Sequence, residues 1–386
     1  MRVGFVIDDL DPRRGGMSQW CSQFVAAVAR RNCELHIICM GFGDGPLPEQ
    51  IVCHTIPRTK SRIGFAAAAE NILRELQLDV VHDSGLGWQF DIFQPHGGAY
   101  GAWRKRRLDF YPPWIRALKR PIDALLPRQR SFHQHAKRQY AALSPDKTIV
   151  ALSKSVADDF VRLHGIRPEQ IKVVYNGVDC HRFSPVHRAR HREAIRQRLG
   201  IEPGTLVLLL TAHNFRLKGV PELLKAAARL AISGRQIHVL IAGGKRLQKW
   251  RRKAASLGLA ERATFLGAVA NLVPYYAAAD ACVHPTYYDP CSLVLLEAAA
   301  SGLPIVTTRR FNGAAELFRE GDEILITNEP TDHETLCGLI DALFDERLRT
   351  RLGCGARNAA SRHPFTKNVD EIFSLYEHNV RRKVAA

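Results

Sequence analysis

The feature that most restricts the fold of this chain is a regular alternation of short apolar runs with stretches of helical length. Each run is continuous and bounded by turn-forming residues, which is typical of strands covered on both faces. Strands that alternate with helices form βαβ units and a parallel sheet. The apolar runs are residues 3–8, 35–39, 80–82, 92–95, 149–152, 171–175, 206–210, 237–241, 263–266, 281–284, 305–307 and 324–326. The pattern predicts an α/β protein with doubly wound, Rossmann-like sheets.

The chain is long enough for two such sheets, because 386 residues exceed what one ordinary core holds. A polar stretch rich in His and Arg, with two prolines, separates the two series of strands. We therefore predict an N-terminal domain over 1–180, a linker over 181–204 and a C-terminal domain over 205–365. The two domains are expected to face each other across a cleft. A last helix over 366–386 can cross back to the first domain.

One candidate ligand site follows the predicted strand over 281–284, where a helix is expected to begin at Ser292. Ligands of doubly wound sheets bind at such strand ends, and free N–H groups near Ser292 and Leu293 favour a phosphate. Asp289 lies just before the helix, and Glu297 lies one turn beyond Leu293 on the same face. A phosphate flanked by two carboxylates fits a nucleotide sugar. The alternative interpretation of Glu297 is a solvated helix carboxylate.

Other predicted strand ends carry basic or glycine-rich loops. Arg216 and Lys218 follow the first strand of the second series and could neutralise a diphosphate leaving group. Gly15 and Gly16 end the loop after the first strand, where paired glycines let the backbone approach a ligand; a plain turn is the alternative. His96 follows another strand end, and a structural histidine is the alternative there.

In order and spacing, these motifs resemble those of the family 4 glycosyltransferases of the GT-B fold, over residues 1–380. The matching features are two carboxylates separated by seven residues (Asp289 and Glu297), a basic pair (Arg216 and Lys218), an N-terminal glycine loop (Gly15 and Gly16) and the segment entering the linker (175–179). Residues 311–316 and the dipeptide at 284–285 are similar to the lipopolysaccharide-core glucosyltransferase branch of that family.

The resemblance implies a retaining transfer from a nucleotide-activated sugar, commonly UDP-linked, with no obligatory metal and no other cofactor. It also implies a role for each matching residue. Glu297 would hold the nucleotide ribose, Asp289 the hydroxyls of the donor sugar, Arg216 and Lys218 the diphosphate, and His96 the sugar or the reaction centre. Asp289 departs from the family, in which the first carboxylate is usually Glu, and this departure bears on which donor sugar is used.

The formal charge of +17 indicates an anionic partner. Residues 101–140 hold eleven Lys and Arg against two Asp, a net of +9, with apolar and aromatic residues interleaved. Such a segment is typical of a peripheral protein on an anionic membrane, whereas a solvated face or a nucleic-acid surface is the alternative.

The N-terminal apolar run is too short for a signal peptide and no run is long enough to span a bilayer. We therefore expect a cytoplasmic enzyme, peripheral on the inner face of the membrane.

Two further patterns have plainer explanations. The sequence Asp9-Leu10-Asp11 resembles a metal-binding D-x-D, and the His pair at 133 and 135 has a possible ligand spacing, but neither is supported by its surroundings. We expect no metal site.

The predicted reaction is transfer of a hexose, with glucose first, from a UDP-sugar to a sugar hydroxyl of a membrane glycolipid such as a lipopolysaccharide core. A sugar-nucleotide epimerase, a phosphorylase or a non-catalytic adaptor that binds membrane or nucleic acid is the alternative on the same scaffold.

Overall fold

The computed structural model describes residues 1–11, 15–31, 33–43 and 50–385. Over these residues the chain divides into two compact units. The first unit is formed by Met1–Tyr175 together with Thr366–Ala386, and the second by Asn176–Phe365. Each unit contains one parallel sheet with helices between most of its successive strands, so the prediction of two doubly wound sheets is confirmed.

The first unit is built on a seven-stranded sheet with the order β3-β2-β1-β4-β5-β6-β7. Its strands are β1 (Arg2–Val6), β2 (Glu34–Cys39), β3 (Ile51–Thr55), β4 (Val80–Asp83), β5 (Ile92–Phe93), β6 (Thr148–Ala151) and β7 (Ile171–Val173). Its helices are α1 (Gly16–Val28), α2 (Arg62–Glu75), α3 (Tyr100–Arg106), α4 (Pro113–Leu125), α5 (Pro127–Ala141) and α6 (Lys154–His164). The strand order reverses between β1 and β4, which is where ligands bind to sheets of this type.

The second unit is built on a six-stranded sheet with the order β10-β9-β8-β11-β12-β13. Its strands are β8 (Leu206–Ala212), β9 (Ile237–Gly243), β10 (Ala263–Gly267), β11 (Ala281–His284), β12 (Ile305–Thr308) and β13 (Leu325–Thr327). Its helices are α7 (His187–Arg198), α8 (Val220–Ile232), α9 (Leu247–Ala255), α10 (Val273–Ala278), α11 (Leu293–Ala300), α12 (His333–Ala342) and α13 (Glu346–Ser361). The order reverses between β8 and β11.

The last helix, α14 (Phe365–Ala385), belongs to the first unit from Thr366 onward. The indole Nε1–H of Trp20 donates to Asn368 Oδ1 at 3.1 Å, and the Tyr376 hydroxyl lies 2.6 Å from His82 Nδ1. All four side chains are buried. The helix therefore completes the core of the first unit, as the sequence allows.

The sequence predicts a linker over 181–204, whereas the structure has helix α7 inside this segment. Arg188, Arg192 and Arg196 are four residues apart, so they share one face of α7. All three donate to the buried carboxylate of Asp280, at 3.3, 2.6 and 2.5 Å. The backbone N–H of Val207 on β8 donates to the same carboxylate at 2.8 Å. The helix is thus attached to the second unit through a charged face, which an apolar pattern does not reveal.

Strand β3 is also absent from the sequence prediction. It lies at the edge of its sheet, and its residues are partly or fully exposed instead of forming a continuous buried run. Within the residues that the structure describes, no helix combines the length and the apolar character needed to cross a bilayer.

Candidate active site

The predicted site of the second unit lies at the point where its strand order reverses. Strands β8 and β11 are parallel neighbours, with Leu208 opposite Ala281. The loops that follow them are bonded to each other, because Tyr287 N–H and the Thr286 hydroxyl both donate to Leu217 O, at 2.8 and 3.1 Å. The residues predicted from two distant parts of the sequence therefore lie on adjoining loops.

Gly219 allows these two loops to approach closely. Its φ of 77° lies in the left-handed region, and a Cβ at this position would lie 2.0 Å from Pro285 O. Any other residue would be strained in its backbone and would push the loops apart. The glycine therefore fixes the preceding residue, Lys218, against the segment that follows β11.

Lys218 and Asp289 form the central ion pair of the site. Lys218 Nζ lies 2.6 Å from Asp289 Oδ2 and donates to Tyr288 O at 3.0 Å. The side chains are 19% and 13% exposed, so the pair is partly shielded yet reachable by a ligand. Arg216 lies on the same loop with an exposed side chain. The structure thus places the predicted diphosphate cation directly beside the predicted sugar-binding carboxylate.

The backbone of Asp289 is held by the loop after β12. Its N–H donates to Phe311 O at 2.7 Å, and its carbonyl accepts from Gly313 N at 2.9 Å. Between these two residues, Asn312 is buried and donates to Thr307 Oγ1 on β12 at 3.1 Å. The loop position of Asp289 is therefore set by the sheet itself, which leaves its side chain as the adjustable part.

Helix α11 begins next to this pair. Ser292 is its N-cap residue, but the Ser292 side chain makes no capping hydrogen bond. Within the described residues, the buried Ser292 Oγ and the buried Oδ1 of Asn176 have no hydrogen-bond partner, although Asn176 Nδ2 donates to Cys291 O at 2.7 Å. Unpaired buried polar atoms are rare in folded proteins. Together with the first N–H groups of α11 near Leu293, they form a cluster suited to an anion such as a phosphate.

Glu297 is buried on α11, so it is not the solvated carboxylate of the alternative interpretation. The hydroxyl of the buried Tyr276 donates to Glu297 Oε2 at 2.8 Å. Burial raises the pKa of Glu297 to about 7, while the bond from Tyr276 and the charge of Arg182 act in the opposite direction. The carboxylate is therefore oriented by a fixed donor before any ligand arrives.

We expect Glu297→Gln to stabilise the protein at pH 8 and to leave its stability nearly unchanged at pH 4. The folded pKa of about 7 exceeds the value of about 4.3 for an exposed glutamate, so folding disfavours the ionised form. This penalty is absent below about pH 4, grows between the two pKa values and is complete above about pH 7. Glutamine cannot ionise but still accepts the bond from Tyr276. The free energy of unfolding, measured from pH 4 to 8, should favour the variant by on the order of 3 kcal/mol at pH 8.

Glu334, exposed in the first turn of α12, provides the matched control. Glu334→Gln should follow the wild-type pH curve, since its carboxylate remains in water. A Glu297→Gln curve parallel to the wild type at every pH would contradict the assignment of a buried, proton-binding carboxyl.

The candidate residues of the first unit lie near its own strand reversal. Gly15, with a φ of 133°, is the N-cap residue of α1, and Gly16 is the first residue of that helix. Residues 12–14 of the same predicted loop lie outside the described part of the chain. The His96 ring lies 4.6 Å from that of Trp20, centroid to centroid, and within the described residues its buried Nε2 has no hydrogen-bond partner. Burial lowers the pKa of His96 to about 4, so the ring is neutral at pH 7.

The two alternative metal patterns lie in ordinary surroundings. Asp9 of the D-x-D triplet is buried and forms an ion pair with Arg58 at 3.2 Å. His133 and His135 lie on helix α5 and not on a strand. Across the described ranges, no group of three or more His, Cys, Asp or Glu side chains is arranged to hold a metal ion.

Two residues of the second unit were not assigned by the sequence. Tyr276, which orients Glu297, lies on the short helix α10 and has no motif of its own. His284 lies at the end of β11 with its Nε2 3.8 Å from Asp289 Oδ2. Its position at a strand end beside a candidate carboxylate, within the dipeptide at 284–285, is a signal that could have identified it.

Two family models match the chain. The model described as Glycosyltransferase Family 4 matches residues 14–182, and the model described as Glycosyl transferases group 1 matches residues 191–359. A curated relative, D-inositol 3-phosphate glycosyltransferase 2 of Catenulispora acidiphila, is 30% identical over 250 residues, which are 59% of this chain and 57% of the relative. The chain therefore spans little more than half the length of this relative.

Solved structures of similar fold cover almost the whole chain. WaaG, a glycosyltransferase involved in lipopolysaccharide biosynthesis, is 22% identical with a TM-score of 0.82, over 97% of this chain and 99% of WaaG. HepE of Anabaena, crystallised with UDP-glucose, is 20% identical with a TM-score of 0.71, over 98% of this chain and 100% of HepE. At these identities the likeness establishes a shared fold.

Proposed function

Since the chain belongs to the group 1 and family 4 glycosyltransferases of the GT-B fold, we propose that it transfers a hexose, glucose first, from a UDP-sugar to a hydroxyl of a membrane glycolipid. The observation that carries this proposal is the Lys218–Asp289 pair at the strand reversal of the second unit, next to the helix that bears Glu297. The pair offers a cation for a diphosphate and a carboxylate for sugar hydroxyls within 2.6 Å of each other.

The reaction breaks the bond between the sugar C1 and the UDP oxygen and forms a bond from C1 to the acceptor oxygen. UDP leaves with the electron pair of the broken bond, and its departing oxygen takes up the proton of the acceptor hydroxyl. Lys218 and Arg216 would stabilise the charge that develops on the departing diphosphate, together with the N–H groups at the start of α11. Glu297 would accept hydrogen bonds from the ribose hydroxyls, and His96 would lie at the sugar or the reaction centre. Retention of the anomeric configuration is part of the proposal.

The names of similar proteins support a UDP-sugar donor and suggest two acceptors. HepE was crystallised with UDP-glucose, and WaaG acts in lipopolysaccharide biosynthesis. The curated relative is named for D-inositol 3-phosphate, a phosphorylated acceptor that would suit a chain of charge +17. We place the lipopolysaccharide-type glycolipid first, and a phosphorylated cyclitol is the second candidate.

The test is turnover of UDP-glucose, UDP-galactose and GDP-mannose with each acceptor, followed by NMR of the anomeric proton in the product. We expect transfer from UDP-glucose with retained configuration and little effect of EDTA. Release of a UDP-sugar epimer without any acceptor would contradict the proposal and identify an epimerase. Consumption of phosphate would contradict it and identify a phosphorylase. Complete loss of activity in EDTA would make the D-x-D triplet relevant again.

We also propose that helix α4 attaches the protein to an anionic membrane surface. No residue of α4 is buried. Trp114, Leu118, Ile122 and Leu125 are exposed and recur at the spacing of one helix face, while the cations of α4 lie on the opposite side. The net charge of +9 over 101–140 complements anionic headgroups. An apolar face with a basic reverse side is the arrangement of helices that lie in a membrane interface.

We expect the double variant Trp114→Ser and Leu118→Ser to weaken binding to vesicles of phosphatidylcholine and phosphatidylglycerol by at least about 100-fold. Withdrawing two large apolar side chains from the interface removes roughly 1.5 to 3 kcal/mol each. The wild-type side chains are 71% and 64% exposed, so the substitutions should not destabilise the fold. Vesicle sedimentation across a salt series measures the effect.

Ile232→Ser is the matched control, because Ile232 is a single apolar side chain, 87% exposed, at the end of α8. It should leave vesicle binding unchanged. Equal binding by the α4 double variant and the wild type would refute the membrane face. Preferential binding to DNA fragments over vesicles would show that the basic residues of 101–140 bind nucleic acid instead.

A further inference from the structure

His284 is a buried polar side chain without an ordinary structural explanation. It is the last residue of β11, its ring is fully buried, and its backbone carbonyl accepts from Thr307 Oγ1 at 2.7 Å. In the described part of the structure neither Nδ1 nor Nε2 has a hydrogen-bond partner. Leaving such a group unpaired costs stability, so an apolar residue would serve the packing of β11 better.

A second buried histidine of the same sheet shows the usual situation. His238 on β9 has its Nε2 2.9 Å from Thr264 Oγ1 on the neighbouring strand β10. Its polarity is therefore satisfied within the fold. The contrast between the two histidines suggests that the ring of His284 acquires its partner in another state of the protein.

The orientation of the ring indicates that partner. His284 Nε2 lies 3.8 Å from Asp289 Oδ2, about 1 Å beyond hydrogen-bond distance. Burial and the charge of Lys218 lower the pKa of His284 to about 3, and Asp289 opposes them, so the ring is neutral. A neutral ring beside a carboxylate favours the tautomer with hydrogen on Nε2, because a lone pair facing an anion is repelled. A donor thus faces Asp289 just out of reach.

We propose that His284 is a positioning residue for Asp289 in the complex with the nucleotide sugar. A small rotation of the Asp289 side chain, whose backbone is fixed, brings Oδ2 within reach of His284 Nε2–H. Lys218 and His284 then hold the same oxygen, and Oδ1 is left to accept hydrogen bonds from the sugar. The role rests on the proposed function, and it concerns the sugar and not the nucleotide.

Three substitutions separate this role from packing. The amide of Gln can place an N–H donor where Nε2 lies, the amide of Asn places one nearer to Nδ1, and Leu places none. We expect His284→Gln to retain kcat/KM for UDP-glucose within about threefold of the wild type. His284→Asn and His284→Leu should each lose about tenfold to 100-fold, the effect of one hydrogen bond to a charged group.

Two further measurements identify the sugar as the affected part. By calorimetry, the affinity for UDP should be the same in all variants, while the affinity for UDP-glucose should fall in His284→Leu. The thermal midpoint of His284→Leu should not fall, because the variant removes an unsatisfied buried ring. His238→Leu is the control: it should lower the midpoint, since Thr264 loses its partner, and leave kcat/KM per folded protein unchanged.

Wild-type kcat/KM in His284→Leu, or equal losses in the Gln and Leu variants, would overturn the role of His284 while leaving the proposed function intact. A parallel loss of UDP and UDP-glucose affinity would also overturn it, because the residue would then act on the nucleotide. A wild-type protein that bound neither ligand would overturn the proposed function and the role of His284 together.

Discussion

Lys218→Ala should lower kcat/KM for UDP-glucose by at least about 100-fold. In the free protein Lys218 Nζ has three N–H groups and donates hydrogen bonds to Asp289 Oδ2 and Tyr288 O. These two bonds hold the ammonium group at the strand reversal. A cation fixed in this way stabilises a departing diphosphate without reorganisation, and removing one such preorganised donor costs about 100- to 1,000-fold in rate. The variant also leaves Asp289, only 13% exposed in its side chain, without its counter-charge. Steady-state kinetics with saturating acceptor measure the loss.

Lys225→Ala is the control for this prediction, because Lys225 is an exposed lysine on helix α8, a few residues further along the chain. Its variant should behave as the wild type. Lys218→Arg should recover part of the activity, since it restores the charge but not the compact ammonium geometry. Turnover of Lys218→Ala within threefold of the wild type would remove Lys218 from the proposed site.

Asp280→Ala should reduce the free energy of unfolding of the second unit by about 3 to 5 kcal/mol. Asp280 is buried and accepts from three arginines of α7 and from Val207 N–H. Without it, Arg196, with a side chain only 8% exposed, becomes a buried and uncompensated charge. The expected fall in thermal midpoint is about 10 °C, because a unit of this size shifts by about 2 to 4 °C per kcal/mol.

Asp341→Ala provides the control with the same pair of residue types at the surface. Asp341 pairs with Arg235 at 2.7 Å, but the two side chains are 41% and 44% exposed. Exposed ion pairs contribute less than about 1 kcal/mol, so the midpoint should barely move. Equal falls in the thermal midpoint of the two variants would show that burial of the Asp280 carboxylate does not increase its contribution to stability.

The Asp280 network should also make the attachment of α7 resistant to mild acid. Burial alone would raise the pKa of Asp280, but Arg192, Arg196 and Val207 N–H outweigh it and lower the pKa below the usual value. A lowered carboxyl pKa contributes stability that is complete above the unfolded pKa of about 3.9 and is lost only as the pH falls through the lower, folded value. The α7 attachment therefore persists under mildly acidic conditions.

The sequence predicts the sheets well because their central strands are continuous apolar runs. Such runs are typical of strands that are buried on both faces. For the same reason it places Lys218 and Asp289 in loops that follow strands, and Glu297 on the helix after the second of these loops. It does not predict helix α7, which has only Ile195 and Arg196 buried and which contacts Asp280 through three arginines. Helix recognition depends on an apolar stripe, and here the stabilising contact is electrostatic.

The partners of the site residues are equally hidden in the sequence. Tyr276 contacts Glu297 although the two residues are 21 positions apart in the chain, and no local spacing predicts that contact. The close pairing of Lys218 with Asp289 spans 71 positions and depends on Gly219, which looks like any turn glycine until its distance to Pro285 is known. Motif order predicts which residues take part, and packing decides how they are held.

The first unit is assembled from two pieces of chain with the whole second unit between them in sequence. A ribosome releases Asn176–Phe365 completely before it releases α14. During that interval Trp20 and His82 lack their hydrogen-bond partners Asn368 and Tyr376. The first unit is therefore the first to begin folding and the last to complete its core. Until then its unfinished core is a surface for chaperones or for unwanted association. Translation speed over the codons for α14 should therefore influence the yield of native protein more than speed over the codons for β1.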